Sequence, residues 1–427
     1  MLRSFTFVSM LALATAGLSQ AQDTIIHAGK LLAEPGNGYL SEQSISIEDG
    51  KITKIEPGYI RVPRGSNAKI IDLKDQFVLP GLIDSHVHIL SEQSPDRRLK
   101  ALSYSEVDEA LEGVANARKT LMAGFTTVQD VGGTNEAVFS LRDAIRAGRV
   151  DGPRMRAAGR AITPTGGHGD ANGFSPALSK VFTGPNTCNG ADDCRRAVRQ
   201  AVKSGADVIK ITATGGVLSN TKAGLGQQFF DDELKAIVET AASMGRKVTA
   251  HAHGKMGIEA ALKAGVQSIE HGTYLDAGTI ALFKEYNATL VPTVLAGVTV
   301  TGWVNEPWLP KPSRDKAAIV GRLMLDMISR AREGGVNIAF GTDTGVSKHG
   351  ENAKEFGLMV DAGFSEEEAI RAATIVASEH IEMSDQIGSI TSGKFADIVA
   401  VDEDPLANIE SLYDIDFVMK GGVVYKQ

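Results

Sequence analysis

The sequence predicts an α/β protein: a (β/α)8 barrel of the TIM type, carrying a small β-sandwich domain built from both chain ends. Three observations carry this expectation. Eight apolar runs in the middle of the chain alternate with segments of helical period. Both ends alternate apolar and polar residues between Gly and Pro breaks, as short antiparallel strands do. The 427 residues, 43% of them hydrophobic, are enough for one large domain or two ordinary ones.

In chain order, residues 1–21 have the pattern of a signal peptide. Arg3 is the positive start, FTFVSMLALATAGL the apolar core, and Ser19-Gln20-Ala21 a small-residue cleavage site. An uncleaved anchor is the alternative, but the apolar run is short for a membrane span. Export to the periplasm or medium is therefore expected, with no stable membrane insertion. Residues 22–78 form the first part of the β domain, through the alternating stretch TIIHAGKLLAEPGNGYLSEQSISIEDGKITKIEPG.

Residues 79–385 form the barrel. Its runs are GLIDSHVHI, GFTTVQDVG, RMRAAGRAIT, DVIKITATG, KVTAHAHG, SIEHGTY, TLVPTVL and NIAFGTDTG. Helical patterns such as SEVDEALEGVANARKTLMA, DDELKAIVETAASMG and GRLMLDMISRAREGG lie between them, several opened by Ser or Asp and closed by Gly. A doubly wound open sheet would fit the same alternation, yet its frequent glycine fingerprint is missing after the first run. Residues 386–427, with GSITSGKFADIVAVDEDP and DFVMKGGVVYKQ, complete the β domain; two unrelated flanking hairpins are the alternative. Cys188 and Cys194, close together in TCNGADDC, are candidates for a local disulfide in an oxidising compartment. A net charge of -8 without any basic run speaks against nucleic acid as a partner.

Barrel enzymes carry their chemistry at the C-terminal ends of the strands. The unusual residues fall there: His86 and His88 in the first run, Lys210 in the fourth, His251 and His253 in the fifth, His271 in the sixth and Asp343 in the eighth. Residues i and i+2 of a strand share a face, so each histidine pair can point into the barrel mouth. Five buried imidazoles, a lysine and an aspartate without a ligand would cost several kcal/mol in unpaired polar groups. A bound divalent metal removes that cost, zinc first, with cobalt, manganese or iron as alternatives. An ammonium beside metal cations would have to lose its proton; the neutral Lys210 amine could then take up carbon dioxide and become an anionic carbamate bridging two metals. A buried salt bridge to Asp343 is the competing role for Lys210.

The ordered motifs HVH, VIKI, HAH, EHG and GTDTG resemble the binuclear amidohydrolase superfamily over essentially all of the mature chain. TTVQDVGG, TPTGGHGD, TAHAHG, IEHGTYLD and GTDTG are similar to its imidazolonepropionase-like branch, which includes Xaa-Pro dipeptidases, carboxypeptidases and amidases acting on ochratoxin A. Gln129 departs from the branch, where many relatives have arginine. The resemblance implies two divalent ions, most simply Zn2+. His86 and His88 would bind the first ion, His251 and His271 the second, and a carboxylated Lys210 with a hydroxide would bridge them. Asp343 would contact the first ion and act as general base, and His253 would face the substrate and stabilise the oxyanion.

The implied reaction is hydrolysis of an amide next to a C-terminal amino acid, in dipeptides or N-acyl amino acids, with ochratoxin A as one such substrate. His168 and Tyr274, in loops after the third and sixth runs, and Val217 with Leu218 after the fourth, are the candidate substrate contacts. Cyclic-amide hydrolysis, mononuclear deamination and a catalytically dead binding protein are the alternatives. Relatives also imply a homo-oligomer, up to an octamer.

Overall fold

The computed structural model describes residues 23–62, 64–221 and 224–427; the segment read as a signal peptide lies outside the described residues. The N-terminal region supplies β1 (Thr24–Leu31), β2 (Leu40–Glu48), β3 (Lys51–Pro57) and β4 (Lys69–Pro80). The middle supplies β5 (Leu82–Val87), β6 (Phe125–Asp130), β7 (Arg154–Ala157), β8 (Ile209–Thr212), β9 (Val248–Ala252), β10 (Ser268–His271), β11 (Thr289–Val291) and β12 (Asn337–Ile338). The C-terminal region ends with β13 (Ile398–Val401), β14 (Phe417–Lys420) and β15 (Val423–Lys426).

The two ends share one seven-stranded sheet, in the order β15-β14-β13-β4-β1-β2-β3, so they are not separate hairpins. β4 is its pivot: it runs parallel to β1 on one side and antiparallel to β13 on the other. Lys51 in β3 bridges to Phe395, and Ile52 N donates to Lys394 O at 2.9 Å, so the edge strand β3 meets the segment that leads into β13. Ile26, Ile45, Ile71, Val78, Ile398 and Phe417 from both ends bury one common apolar cluster. Full burial of such side chains contributes about 1.5–3 kcal/mol each.

The middle is α/β. β5-β6-β7 form one parallel sheet and β8-β9-β10-β11-β12 another. A parallel bridge from Ile162 to Ile211 joins them after β7, and one from Val87 to Thr344 joins β5 to the segment following β12. The burial patterns explain the parallel pairing: β5, β6, β8, β9 and β10 are buried at every residue, which only a sheet covered on both faces allows. Helices follow the strands. Ser105 and Ser365 cap the helices Glu106–Met122 and Glu366–Arg371 with reciprocal capping boxes, and Gly205 and Gly265, at φ 113° and 94°, end two others.

The helix expected at Gly321 begins ten residues earlier, at Lys311. Pro312 does not prevent this, because a proline in the first turn forfeits only an N–H that has no helical partner. Cys188 and Cys194 form a disulfide with their Cα atoms 4.9 Å apart, fastening the loop after β7 to the helix Ala191–Ser204. Among the described residues no helix is long and apolar enough to cross a membrane.

Candidate metal centre

The predicted polar residues meet in one cavity of about 290 Å3 at the C-terminal ends of the strands. His86, His88, Lys210, His251, His253, His271 and Asp343 all line it, together with His168, Val217 and Leu218. Tyr274 does not: the chain after His271 turns outward, its backbone N–H bonds His253 O, and the side chain stays 36% exposed.

Candidate ligand atoms of His251, His253 and His271 lie within 4.8 Å of one another, and so do those of His86, His271 and Asp343. His271 belongs to both groups, His253 joins the second expected set, and His88 and Lys210 fall in neither, so the two groups are adjacent candidate cation positions. Asp343 Oδ1 stands 3.2 Å from His88 Nε2 and 3.5 Å from His86 Nε2, yet its geometry satisfies no hydrogen bond. Lys210 Nζ, 4% exposed as a residue, also has no hydrogen-bond partner among the described residues, and no ion pair joins it to Asp343. Two orphaned polar atoms facing a wall of imidazoles are costly unless something occupies the space between them. The donor set fits a pair of divalent cations: imidazole nitrogens, a carboxylate and a lysine that could be neutral.

The orientation of each ring is fixed from behind. His86 Nδ1 is 2.6 Å from Glu270 Oε2, and His88 Nδ1 is 2.8 Å from Gly132 O, so both donate backward and leave Nε2 lone pairs facing the cavity. His271 Nδ1 contacts Thr293 Oγ1 at 2.7 Å in the same sense. His251 is reversed, with Nε2 turned to Gly215 O at 3.4 Å, so Nδ1 is its available ligand atom. His253 Nδ1 meets Thr273 Oγ1 at 2.8 Å. His168 bonds Ser219 Oγ at 2.5 Å and packs its ring 4.2 Å from that of His251.

Local backbone explains why neighbours in sequence can serve the same centre. Glu270 and His271 both reach inward although alternation should send them to opposite faces; His271 escapes it with φ 73° at the end of β10. Asp343 (φ 57°) and Thr293 (φ 52°) do the same. Three non-glycine residues in the left-handed region at one site are strain concentrated where function holds it. Gly132 makes room for a ring: a Cβ there would lie 2.7 Å from His88 Cε1.

Burial drives the titration behaviour. It pushes the Lys210 amine below its ordinary value, against the pull of Glu270, Asp343 and Asp130. Burial also lowers His253 to about 3 and His168 to about 4, so both are neutral near pH 7. The Asp343 carboxyl would be raised by burial, but His86 and His88 outweigh this and hold it well below the usual range. Glu270 is likewise held down to about 2, by Lys210 and His86 against burial.

Sequence reasoning missed Glu270, Asp84 and Asp130. Fully buried Glu270 also accepts hydrogen bonds from Thr249 and Ser268 Oγ. Asp84 gathers His86 N, Thr342 and Asn352, tying β5 to the GTDTG loop, and Asp130 takes Ile89 N and Gly132 N. An acidic residue directly before a ligand histidine, as in IEHG, was the available signal for the first. Gln129 is buried, with Nε2 3.5 Å from Ser85 O.

Comparison with known proteins places these residues in a lineage. Residues 77–425 match the amidohydrolase family. An ochratoxinase from Aspergillus niger is 32% identical over 97% of this chain and 89% of its own, and a crystal structure of A. niger ochratoxinase superposes with a TM-score of 0.82 at 30% identity, covering 95% of this chain and 96% of that one. A Xaa-Pro dipeptidase crystallised with methionine in its active site superposes with a TM-score of 0.90 at 41% identity, over 95% of this chain and all of that one. A prolidase complexed with N-methylphosphonate-L-proline reaches 0.86 at 30% identity, over 95% of this chain and all of that one.

Proposed function

The chain belongs to the amidohydrolase family and is a hydrolase acting on C–N bonds, and from that premise we propose that it cleaves the amide bond next to a C-terminal amino acid, with two divalent cations, most simply Zn2+, and a carbamylated Lys210. The observation that carries the proposal is the pair of orphaned polar atoms, Lys210 Nζ and Asp343 Oδ1, inside a ring of oriented histidines. We read the eight parallel strands as a closed (β/α)8 barrel, supported by the Val87–Thr344 and Ile162–Ile211 bridges, and the terminal sheet as folding over its shared core into a sandwich.

His86, His88 and Asp343 would hold one cation, His251 and His271 the other, and Lys210 both. Carbamylation forms a bond between neutral Lys210 Nζ and the carbon of carbon dioxide and releases one proton. When bound, such cations polarise a carbonyl oxygen and lower the pKa of a coordinated water to about 7. Asp343 accepts the nucleophile's proton and delivers it to the leaving nitrogen, a transfer worth about 10²–10⁴ in rate. His253 donates to the oxygen of the tetrahedral centre, which requires a proton on Nε2. Thr273 must then donate its hydroxyl hydrogen to His253 Nδ1. Val217, Leu218, Val300 and Met324 give the cavity an apolar wall suited to an aromatic or proline side chain.

The test is phenylalanine release from ochratoxin A, with and without chelator, alongside metal content. Chelator-sensitive release with two metals per chain is expected; a folded, metal-supplemented protein that binds no metal overturns the site. Xaa-Pro dipeptides are the second substrate set, favoured by the 41% identical dipeptidase structure. Two metals without phenylalanine release would direct the assignment there. Export is part of the same proposal, supported by the Cys188–Cys194 disulfide, since such bonds persist in oxidising compartments. N-terminal sequencing of the mature protein, expected to begin near Gln22, checks it.

A further inference from the structure

We propose that Arg97 is the receptor for the substrate's free carboxylate, and so the residue that restricts this cavity to amides of C-terminal amino acids. The proposal rests on the amide-hydrolase function above and deepens it. A substrate of that class places a carboxylate two bonds from the scissile nitrogen, and binding such a group in a partly dry cleft calls for a fixed cation or several N–H donors. Among the described residues, only two lysine or arginine side chains line the cavity, Lys210 and Arg97. Lys210 lies on β8 among the candidate ligands, whereas Arg97 is partly exposed, at the start of the short helix Arg97–Ser103.

Arg97 has nothing to hold, a condition it shares among the described residues with Arg314, whose Nε is also without a partner but which does not line the cavity. Arg142 pairs with Asp207, Arg154 with Asp397 and Arg156 with Glu382. Among the described residues the Arg97 guanidinium has no side-chain hydrogen bond and no ion pair, although its five N–H donors are always charged. Its exposed neighbour Arg98 turns the other way: it donates to Gly173 O at 2.8 Å and stacks 4.7 Å from the Phe174 ring centroid. Arg98 thereby fixes the helix and leaves Arg97 to the cavity. The segment leading into it is anchored too, with Gln93 N 2.6 Å from Gly345 O and His349 Nε2 3.2 Å from Ser91 O. Arg97 therefore stands on backbone tied directly to the loops carrying His88 and Asp343. A competing cation, Lys316, is held by two carbonyls, Gly216 O at 2.7 Å and Ser219 O at 2.8 Å.

The test compares hippuryl-L-phenylalanine with its C-terminal carboxamide, using the full metal-loaded protein, Arg97→Met, Arg97→Lys and His168→Gln. The expected wild type prefers the free acid. Arg97→Met raises KM for the acid about 10- to 100-fold, the range of a charge-assisted pair, while kcat stays within about threefold and carboxamide turnover is unchanged. Arg97→Lys recovers part of the loss, and metal content and thermal midpoint match the wild type in both variants. A preference for the acid that survives Arg97→Met, or that disappears in His168→Gln instead, overturns the assignment while leaving the hydrolase function standing. A wild type that hydrolyses neither compound is compared in the same way on an N-acyl-L-proline and its carboxamide, and inertness on both pairs overturns that function and the proposal with it.

Discussion

Lys210 reaches the cavity with an amine that no other side chain among the described residues answers, so its replacement separates a metal bridge from a packing lysine. Lys210→Ala should lower metal content below two per chain and reduce kcat/KM by at least about 10²-fold, as loss of a bridging ligand does. Elemental analysis with steady-state kinetics checks this, and a fully loaded, active variant would refute the bridge. Glu270 acts one layer back. Glu270→Gln keeps the size of the side chain but weakens the hold on His86 Nδ1 at 2.6 Å. Metal affinity should fall about 10- to 100-fold, the usual cost of losing such an outer partner. Competition with a chromogenic chelator measures it, and unchanged affinity would make Glu270 a structural carboxylate only.

Loops at the strand ends set how closely these residues can approach. A Cβ on Gly216 would overlap the His168 ring, so Gly216→Ala must push either the ring or the loop carrying Val217 and Leu218. Overpacking of this kind costs about 1–3 kcal/mol; expressed in the cavity, that is roughly a 5- to 150-fold loss in kcat/KM with the global melting midpoint little changed. A variant as active as its parent would show that His168 tolerates displacement. Much of this level was legible in the sequence. The eight runs name the strands because buried parallel strands are continuously apolar, and the i, i+2 spacing of His86/His88 and His251/His253 places both pairs on the cavity face. Alternation could not announce Glu270 with His271, because the positive φ that lets adjacent residues serve one centre belongs to the strand end and leaves no mark on composition. Tyr274 failed as a cavity residue for the same reason: where a loop turns is decided by its backbone. The early start of the Lys311–Glu333 helix was hidden by prolines that the first turn accepts.

Acid should destabilise the whole protein through its buried histidines. Burial lowers His168, His349 and His380 to about 4 and His253 to about 3, against 6.5 in an open chain. The unfolded chain therefore binds protons that the folded one refuses, so stability is fully present above pH 6.5 and is lost as pH falls towards 4. His380 isolates the effect, since neither ring nitrogen has a hydrogen-bond partner among the described residues. His380→Leu should lose about 1–2 kcal/mol less than the parent between pH 7 and pH 5 in urea unfolding; equal losses would refute its contribution. A different consequence follows from the placement of β4 between β1 and β13. During synthesis β1 to β4 emerge early, but the strand that completes β4 is among the last made, and at about 5–20 residues per second the wait is roughly fifteen seconds to a minute. Through that interval the nascent chain carries the apolar end of β4, residues 77–80, with one open edge, a template for pairing with its neighbours on the same message. The yield of this protein is then governed by whatever shields that edge until the final strands leave the ribosome.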